Sequence, residues 1–118
     1  MKRNLVFVDD NQTIISILES ELADDFNVST FTNPRKALEY IQDASNQVDI
    51  LLTDFMMPEM NGLQLVEAVK KTRKEIRAII LTGYCKELND EQKDTYDLII
   101  DKSVIVDNKT LIDLINQN

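Results

Sequence analysis

Two carboxylates stand side by side at Asp9 and Asp10, where the apolar run LVFVDDN stops. Adjacent acids at the end of a buried stretch repel each other unless water, a cation or a distant lysine offsets them. A third acid, Asp54, closes the run DILLTD; Thr82 closes AIILT, and Lys102 follows LIID. Three carboxylates, a hydroxyl and an ammonium make a set with a specific chemistry. A hard divalent ion such as Mg²⁺ takes carboxylate, carbonyl and water oxygens. Around one carboxylate, such an ion with a lysine and a hydroxyl supplies the charge neutralisation and positioning that in-line phosphoryl transfer needs. Asp54 is then a nucleophile that forms an aspartyl-phosphate. Lys102 pairs with Asp54 or with a phosphoryl oxygen, and Thr82 donates a hydrogen bond to the same group.

Each residue taken alone has an ordinary explanation. Asp9-Asp10 suits a strand-end turn or a helix cap, Asp54 a turn, Thr82 a solvated loop and Lys102 a charged surface. Only joint placement overturns these, so the elements that carry the five residues decide the matter.

Those elements alternate. Leu5–Val8, Val48–Thr53, Ala78–Leu81 and Leu98–Ile100 are short apolar runs that read as strands. Phe26, Val28 and Thr30 alternate with Asn27 and Ser29, the pattern of a strand with one exposed face. Between the runs lie helical stripes: Ile14, Ile15, Leu18, Leu22, then Ala37, Leu38, Ile41, then Leu65, Val66, Val69, and finally Leu111, Ile112, Ile115. Asn33-Pro34 reads as a cap followed by proline at the first helical position. Asn61 with Gln64 reads as a capping box, and Asn108 caps the last helix. Residues 86–96 (KELNDEQKDTY) have only Leu88 and Tyr96 as apolar anchors, so a short, marginal helix is expected there. The pattern is βα repeated five times, an α/β fold with a parallel sheet covered on both faces. The alternating strand at Phe26 belongs at an edge and the three continuous ones at Leu5, Ile50 and Ile79 inside, which agrees with the flavodoxin-like, doubly wound strand order 2-1-3-4-5. In such sheets ligands bind beyond the carboxyl ends of the strands. That is where Asp9, Asp10, Asp54, Thr82 and Lys102 fall.

Composition narrows the field further. The chain has 118 residues, which fits one compact domain spanning 1–118. Its net charge is −8, from 13 basic and 21 acidic residues, which argues against direct nucleic-acid contact. There is no histidine, so imidazole catalysis and imidazole metal sites are excluded. Cys85 is the single cysteine, which leaves neither an internal disulfide nor a CxxC metal site. No apolar run has membrane-spanning length, and a soluble, cytoplasmic protein is expected.

The segments VDDN, LLTDFMMPEMNG, ILTG and DK together resemble the receiver domain of two-component response regulators, the family of the chemotaxis protein CheY. The resemblance covers essentially the whole chain. Its most specific piece is Asp54 followed by Pro58 and Gly62, a spacing that in the family marks the phosphorylation site. The resemblance implies that Asp54 is the phosphoacceptor, that Asp10 binds Mg²⁺ directly, that Asp9 supports the ion, and that the backbone carbonyl of Met56 is a further ligand. It implies that Thr82 and Lys102 contact the phosphoryl group. A histidine kinase or histidine phosphotransfer protein then supplies that group. The output passes to a homodimer, a downstream protein or a C-terminal domain beyond Asn118. Met1, close before the first strand, fits a native N-terminus.

Three departures concern the output side. Ser103 stands where the family usually has proline after the lysine. Ile99 stands where a switch aromatic is usual, with Tyr96 three residues earlier. The segment from Thr82 to Lys102 is short and poorly amphipathic. The phosphorylation chemistry is expected, with an atypical output. Met56 and Tyr84, each two residues beyond a site residue, are expected to cover the acyl phosphate and slow its hydrolysis. Three rivals remain. A Mg²⁺-dependent phosphatase with an aspartate nucleophile generally needs a second acid where Met56 stands, so turnover catalysis is not expected. A degenerate receiver that only binds proteins is kept in play by Ile99 and Ser103. FMN binding lacks a glycine- and hydroxyl-rich phosphate loop.

Overall fold

The computed structural model describes residues 2–83, 95–102 and 108–116. Nine elements follow in order: β1 (Arg3–Val8), α1 (Gln12–Leu22), β2 (Phe26–Phe31), α2 (Pro34–Gln42), β3 (Ile50–Asp54), α3 (Gly62–Thr72), β4 (Arg77–Thr82), β5 (Leu98–Asp101) and α4 (Asn108–Asn116). The helix expected over residues 86–96 falls almost wholly outside the described residues.

The first three helix starts have local causes. Asn11 accepts the N–H groups of Thr13 and Ile14, and Asn33 accepts those of Arg35 and Lys36, with Pro34 next. Asn61 and Gln64 form the reciprocal capping box expected from their spacing. These caps matter to the site because each of the three helices leaves the carboxyl end of a strand.

All strands are parallel, in the order β2-β1-β3-β4-β5. β2, the alternating strand, lies at an edge as expected. Successive side chains of the inner strands face opposite cores. Leu5, Phe7, Ile50, Leu52, Ile79 and Leu81 pack under α1 and α4 with Leu18, Leu22 and Leu111. Val6, Val8, Leu51, Ala78 and Ile80 pack under α2 and α3 with Ile41, Leu65, Val66 and Val69. A sheet buried on both faces has no polar side, which is why its inner strands read as continuous apolar runs. No helix among the described residues is long and apolar enough to cross a membrane.

Candidate functional site: an acidic cluster with one lysine

The pairing of the strands delivers the site. Asp54 and Thr82 are the last residues of β3 and β4 and do not follow them, so ladder pairing holds their backbones: Asp54 opposite Leu81, Thr82 opposite Asp101. Asp9 follows β1 directly, and its N–H continues the ladder to the carbonyl of Phe31 at 3.1 Å. Lys102 comes one residue after β5. Four strand ends therefore present their residues to one rim, as the strand order requires.

Asp9, Asp10 and Asp54 each offer a carboxylate oxygen, and these oxygens lie within 4.8 Å of one another. Their surroundings differ. Asp9 is 0% exposed and Asp54 4%, whereas Asp10 is open to solvent. Lys102 Nζ lies 3.0 Å from Asp54 Oδ1 and 3.7 Å from Asp9 Oδ2. The Asn11 N–H donates to Asp9 Oδ1 at 2.9 Å, and the Phe55 N–H donates to Asp54 Oδ1 at 2.9 Å. Asp9 Oδ2 is buried and accepts no hydrogen bond among the described residues. Thr82 is fully buried beside this group.

The electrostatics follow from burial. Burial pushes the Asp9 carboxyl above its ordinary 3.8; the Asn11 N–H and Lys102 act against it, and Asp54 and Asp10 add to it. Burial likewise raises Asp54, opposed by Lys102 and the Phe55 N–H and reinforced by Asp10. One ammonium does not compensate three clustered carboxylates. Asp9 Oδ2, which has the Lys102 charge nearby but no hydrogen bond among the described residues, the spacing and the all-oxygen donor set fit a small hard cation.

The loop after β3 is shaped around Asp54. The Gly62 N–H donates to the Phe55 carbonyl at 2.8 Å. A Cβ at Gly62 would overlap the Asp54 carbonyl oxygen and meet Phe55 Cα at 3.0 Å, so only glycine lets α3 start this close. Thr53 Oγ1 donates to that same carbonyl at 2.9 Å. Glu59 adopts a left-handed φ of 69° and pairs with Arg35 at 3.4 Å. Met56 is 52% exposed on this loop.

The structure thus brings Asp9, Asp10, Asp54 and Lys102 into contact distance, seats Thr82 at the end of the neighbouring strand, and leaves Met56 on the rim. Tyr84 and Ser103 lie outside the described residues. Ile99 is half-buried on the side of the sheet covered by α2 and α3, with Tyr96 packed against the same core. Sequence reasoning did not identify the Asn11 and Phe55 amides as carboxylate donors. A backbone N–H leaves no signal in the pattern of residue types.

The chain is similar to known proteins in sequence and in fold. Residues 5–104 match the family described as the response regulator receiver domain. Response regulator SaeR of Staphylococcus aureus (strain USA300) is 34% identical over 85 residues, covering 71% of this chain and 36% of SaeR. The chain therefore spans about a third of the length of the curated relatives it matches. Among solved structures, response regulator TrrA from Thermotoga maritima, in complex with Mg(2+)-BeF, superposes with a TM-score of 0.82 at 28% identity, covering 98% of this chain and 99% of TrrA. A CheY-like receiver domain protein from Methanospirillum hungatei superposes with a TM-score of 0.83 at 23% identity, covering 98% and 91% of the two chains, a likeness of fold.

Proposed function

The chain belongs to the response regulator receiver family, and from that premise we propose that it is a phosphorylation-controlled signalling module whose phosphoacceptor is Asp54. One observation carries the reading: an almost fully buried carboxylate at a strand end, 3.0 Å from a lysine ammonium and clustered with two further acids. Among the described residues, Lys102 and the Phe55 N–H both meet the Asp54 carboxylate at Oδ1. Oδ2 is the oxygen that attacks. An O–P bond forms there as the P–N bond to a phosphohistidine of the donor breaks, and the imidazole departs with the electron pair and takes a proton. The donor is a histidine kinase or histidine phosphotransfer protein in the cytoplasm.

Asp10, Asp9, Asp54 and the Met56 carbonyl are the ligands for Mg²⁺, with Asp10 direct and Asp9 in support. The TrrA complex supports that choice of ion. An ion held by these residues would supply charge neutralisation at the phosphoryl oxygens. Lys102 holds Asp54 and then the new phosphoryl oxygens by charge, and Thr82 donates a hydrogen bond to them. The Phe55 N–H orients Asp54 so that one oxygen stays committed while the other reacts.

The product state is read through the loop and helix face from β4 to the last helix, α4, and passes to a downstream protein, a second copy or an output domain. The chain is a modified switch and not a turnover enzyme. Ile99 and Ser103 make that readout atypical, and Met56 with Tyr84 slows loss of the phosphoryl group. Autodephosphorylation that is fast, and unchanged by Met56→Asn with Tyr84→Glu, would count against that shielding.

Intact-mass spectrometry tests the central step. The chain is incubated with Mg²⁺ and acetyl phosphate. A single phosphoryl adduct is expected, absent in Asp54→Asn. Many turnovers of phosphate release point instead to a phosphatase. No adduct and no Mg²⁺ binding point to a receiver that only binds proteins.

A further inference from the structure

Lys102 has to be delivered to Asp54 by the least supported strand of the sheet. β5 has four residues and pairs with β4 alone. Of its side chains only Ile100 is buried; Leu98 and Ile99 are half-buried and Asp101 is exposed. Alternation of faces does not select one register here. A slip of one residue exchanges the faces, but a slip of two restores them and carries Lys102 about 6.6 Å along the strand. That is enough to take the ammonium out of contact with both carboxylates.

What holds the register lies at the other end of the strand. Asp97, the residue before β5, makes a closed pair with Ala78 near the start of β4. The Asp97 N–H donates to the Ala78 carbonyl at 2.8 Å, and the Ala78 N–H donates to Asp97 Oδ2 at 2.7 Å. The same Oδ2 takes Lys70 Nζ at 2.7 Å, and Lys70 also donates to the carbonyl of Ile76 at 2.7 Å. One carboxylate oxygen thus ends the β4–β5 ladder, and a lysine from α3 fixes it. A shift of β5 in either direction breaks the three contacts of Asp97 at once. α3 starts at Gly62 against the Asp54 carbonyl and grips Asp97 near its other end. The helix therefore ties the strand that carries the nucleophile to the strand that carries the cation.

We propose that Asp97 and Lys70 are positioning residues that set the register of β5 and so place the Lys102 ammonium against Asp54. This rests on the role assigned above to Lys102 in phosphoryl transfer. Neither residue touches the reacting groups; they act through Lys102.

A double-mutant cycle on the full chain tests it. Phosphorylation by acetyl phosphate with Mg²⁺ is timed by intact mass for the wild type, Asp97→Ala, Lys102→Ala and the double variant. Asp97→Ala should slow adduct formation about tenfold or more, the scale for small misplacement of a reacting group. In the Lys102→Ala background it should have no further effect, because the misplaced group is already gone. Asp97→Asn keeps an acceptor for Ala78 and should recover part of the rate. The same factor in both backgrounds means a general structural role and overturns the proposal, as does an unchanged rate in Asp97→Ala. If Asp97→Ala does not fold, Asp97→Asn and Lys70→Met take its place in the cycle.

A wild-type chain that accepts no phosphoryl group defeats the proposed function but leaves the register open to test. Thermal unfolding at neutral pH then decides. Lys102→Ala should lower Tm less in the Asp97→Ala background than in wild type, whereas additive shifts overturn the proposal.

Discussion

The two sides of the site are built in opposite ways. The carboxylate side rests on the inner strands β1 and β3. β3 pairs with β1 and with β4, and all five of its residues are buried. The cation side rests on β5, paired along one edge only and buried at one residue. Asp54 is held by the core itself, and Lys102 by a strand that needs an extra clamp. On the proposed function, the residue that takes the phosphoryl group ends a strand paired on both sides, and the residue that would contact the product follows an edge strand. Regions of low local stability are where a two-state response is least costly.

The largest expected contrast is in packing. Leu52→Ala empties a fully buried position on β3 and should cost about 2–5 kcal/mol in chemical denaturation. Leu98→Ala, half-buried on β5, should cost about 1 kcal/mol. Equal losses would break the distinction between rigid centre and loosely held edge.

Gly62→Ala probes the rigid side next to the chemistry. Its Cβ meets backbone and not a flexible side chain, so α3 must move away from Asp54. A loss of about 1–3 kcal/mol is expected, with slower adduct formation in the same intact-mass assay. A variant as stable and as reactive as wild type would show that the close approach is not needed.

Mg²⁺ binding sharpens the comparison within the acidic cluster. Asp10→Ala should weaken binding, measured by titration calorimetry, about tenfold more than Asp9→Ala. Asp9 is enclosed and committed on one oxygen to the Asn11 N–H. An equal or larger loss in Asp9→Ala would reverse the two roles.

Acid separates the two sides more gently and with opposite signs. Burial holds Asp9 and Asp54 above the ordinary 3.8. Their ionisation in the metal-free protein therefore opposes folding. That cost is absent below the unfolded value, accrues through the folded ones and is complete above them, so these groups favour folding as pH falls toward 3.8. At Asp97 burial also pushes upward, but the Ala78 N–H and Lys70 together outweigh it and hold the carboxyl low. Its contribution is present above 3.8 and is lost as pH falls through its folded value below that. Metal-free denaturation series from about pH 3 to about pH 7 should show Asp9→Asn reducing the first dependence to the share of Asp54, and Asp97→Asn removing the second. A wild-type profile left unchanged by both variants would remove the electrostatic half of the comparison.

Much of this was legible along the chain. Strand runs, helical stripes and asparagine caps are local patterns of period 2 or 3.6, and the alternating strand at Phe26 stood out from the continuous ones and went to the edge. The strand order then brought Asp9, Asp10, Asp54, Thr82 and Lys102 to one rim, because ligands meet a parallel sheet at its carboxyl ends. The stretch of residues 86–96 gave a weak pattern, with two apolar anchors in eleven positions.

The sequence by itself thus determined the order of elements, the rim on which the polar groups collect and the chemistry those residue types support. Only the tertiary structure decided how they differ. Burial separates Asp9 and Asp54 from solvent-facing Asp10, and it sets the direction of their ionisation. Lys102 reaches two carboxylates that lie far from it in the chain. Gly62 proves to be a contact with the Asp54 carbonyl as well as a helix start. Asp97 finds Lys70 across 27 positions. These depend on distances and on exclusion of water across strands, and a one-dimensional pattern carries neither.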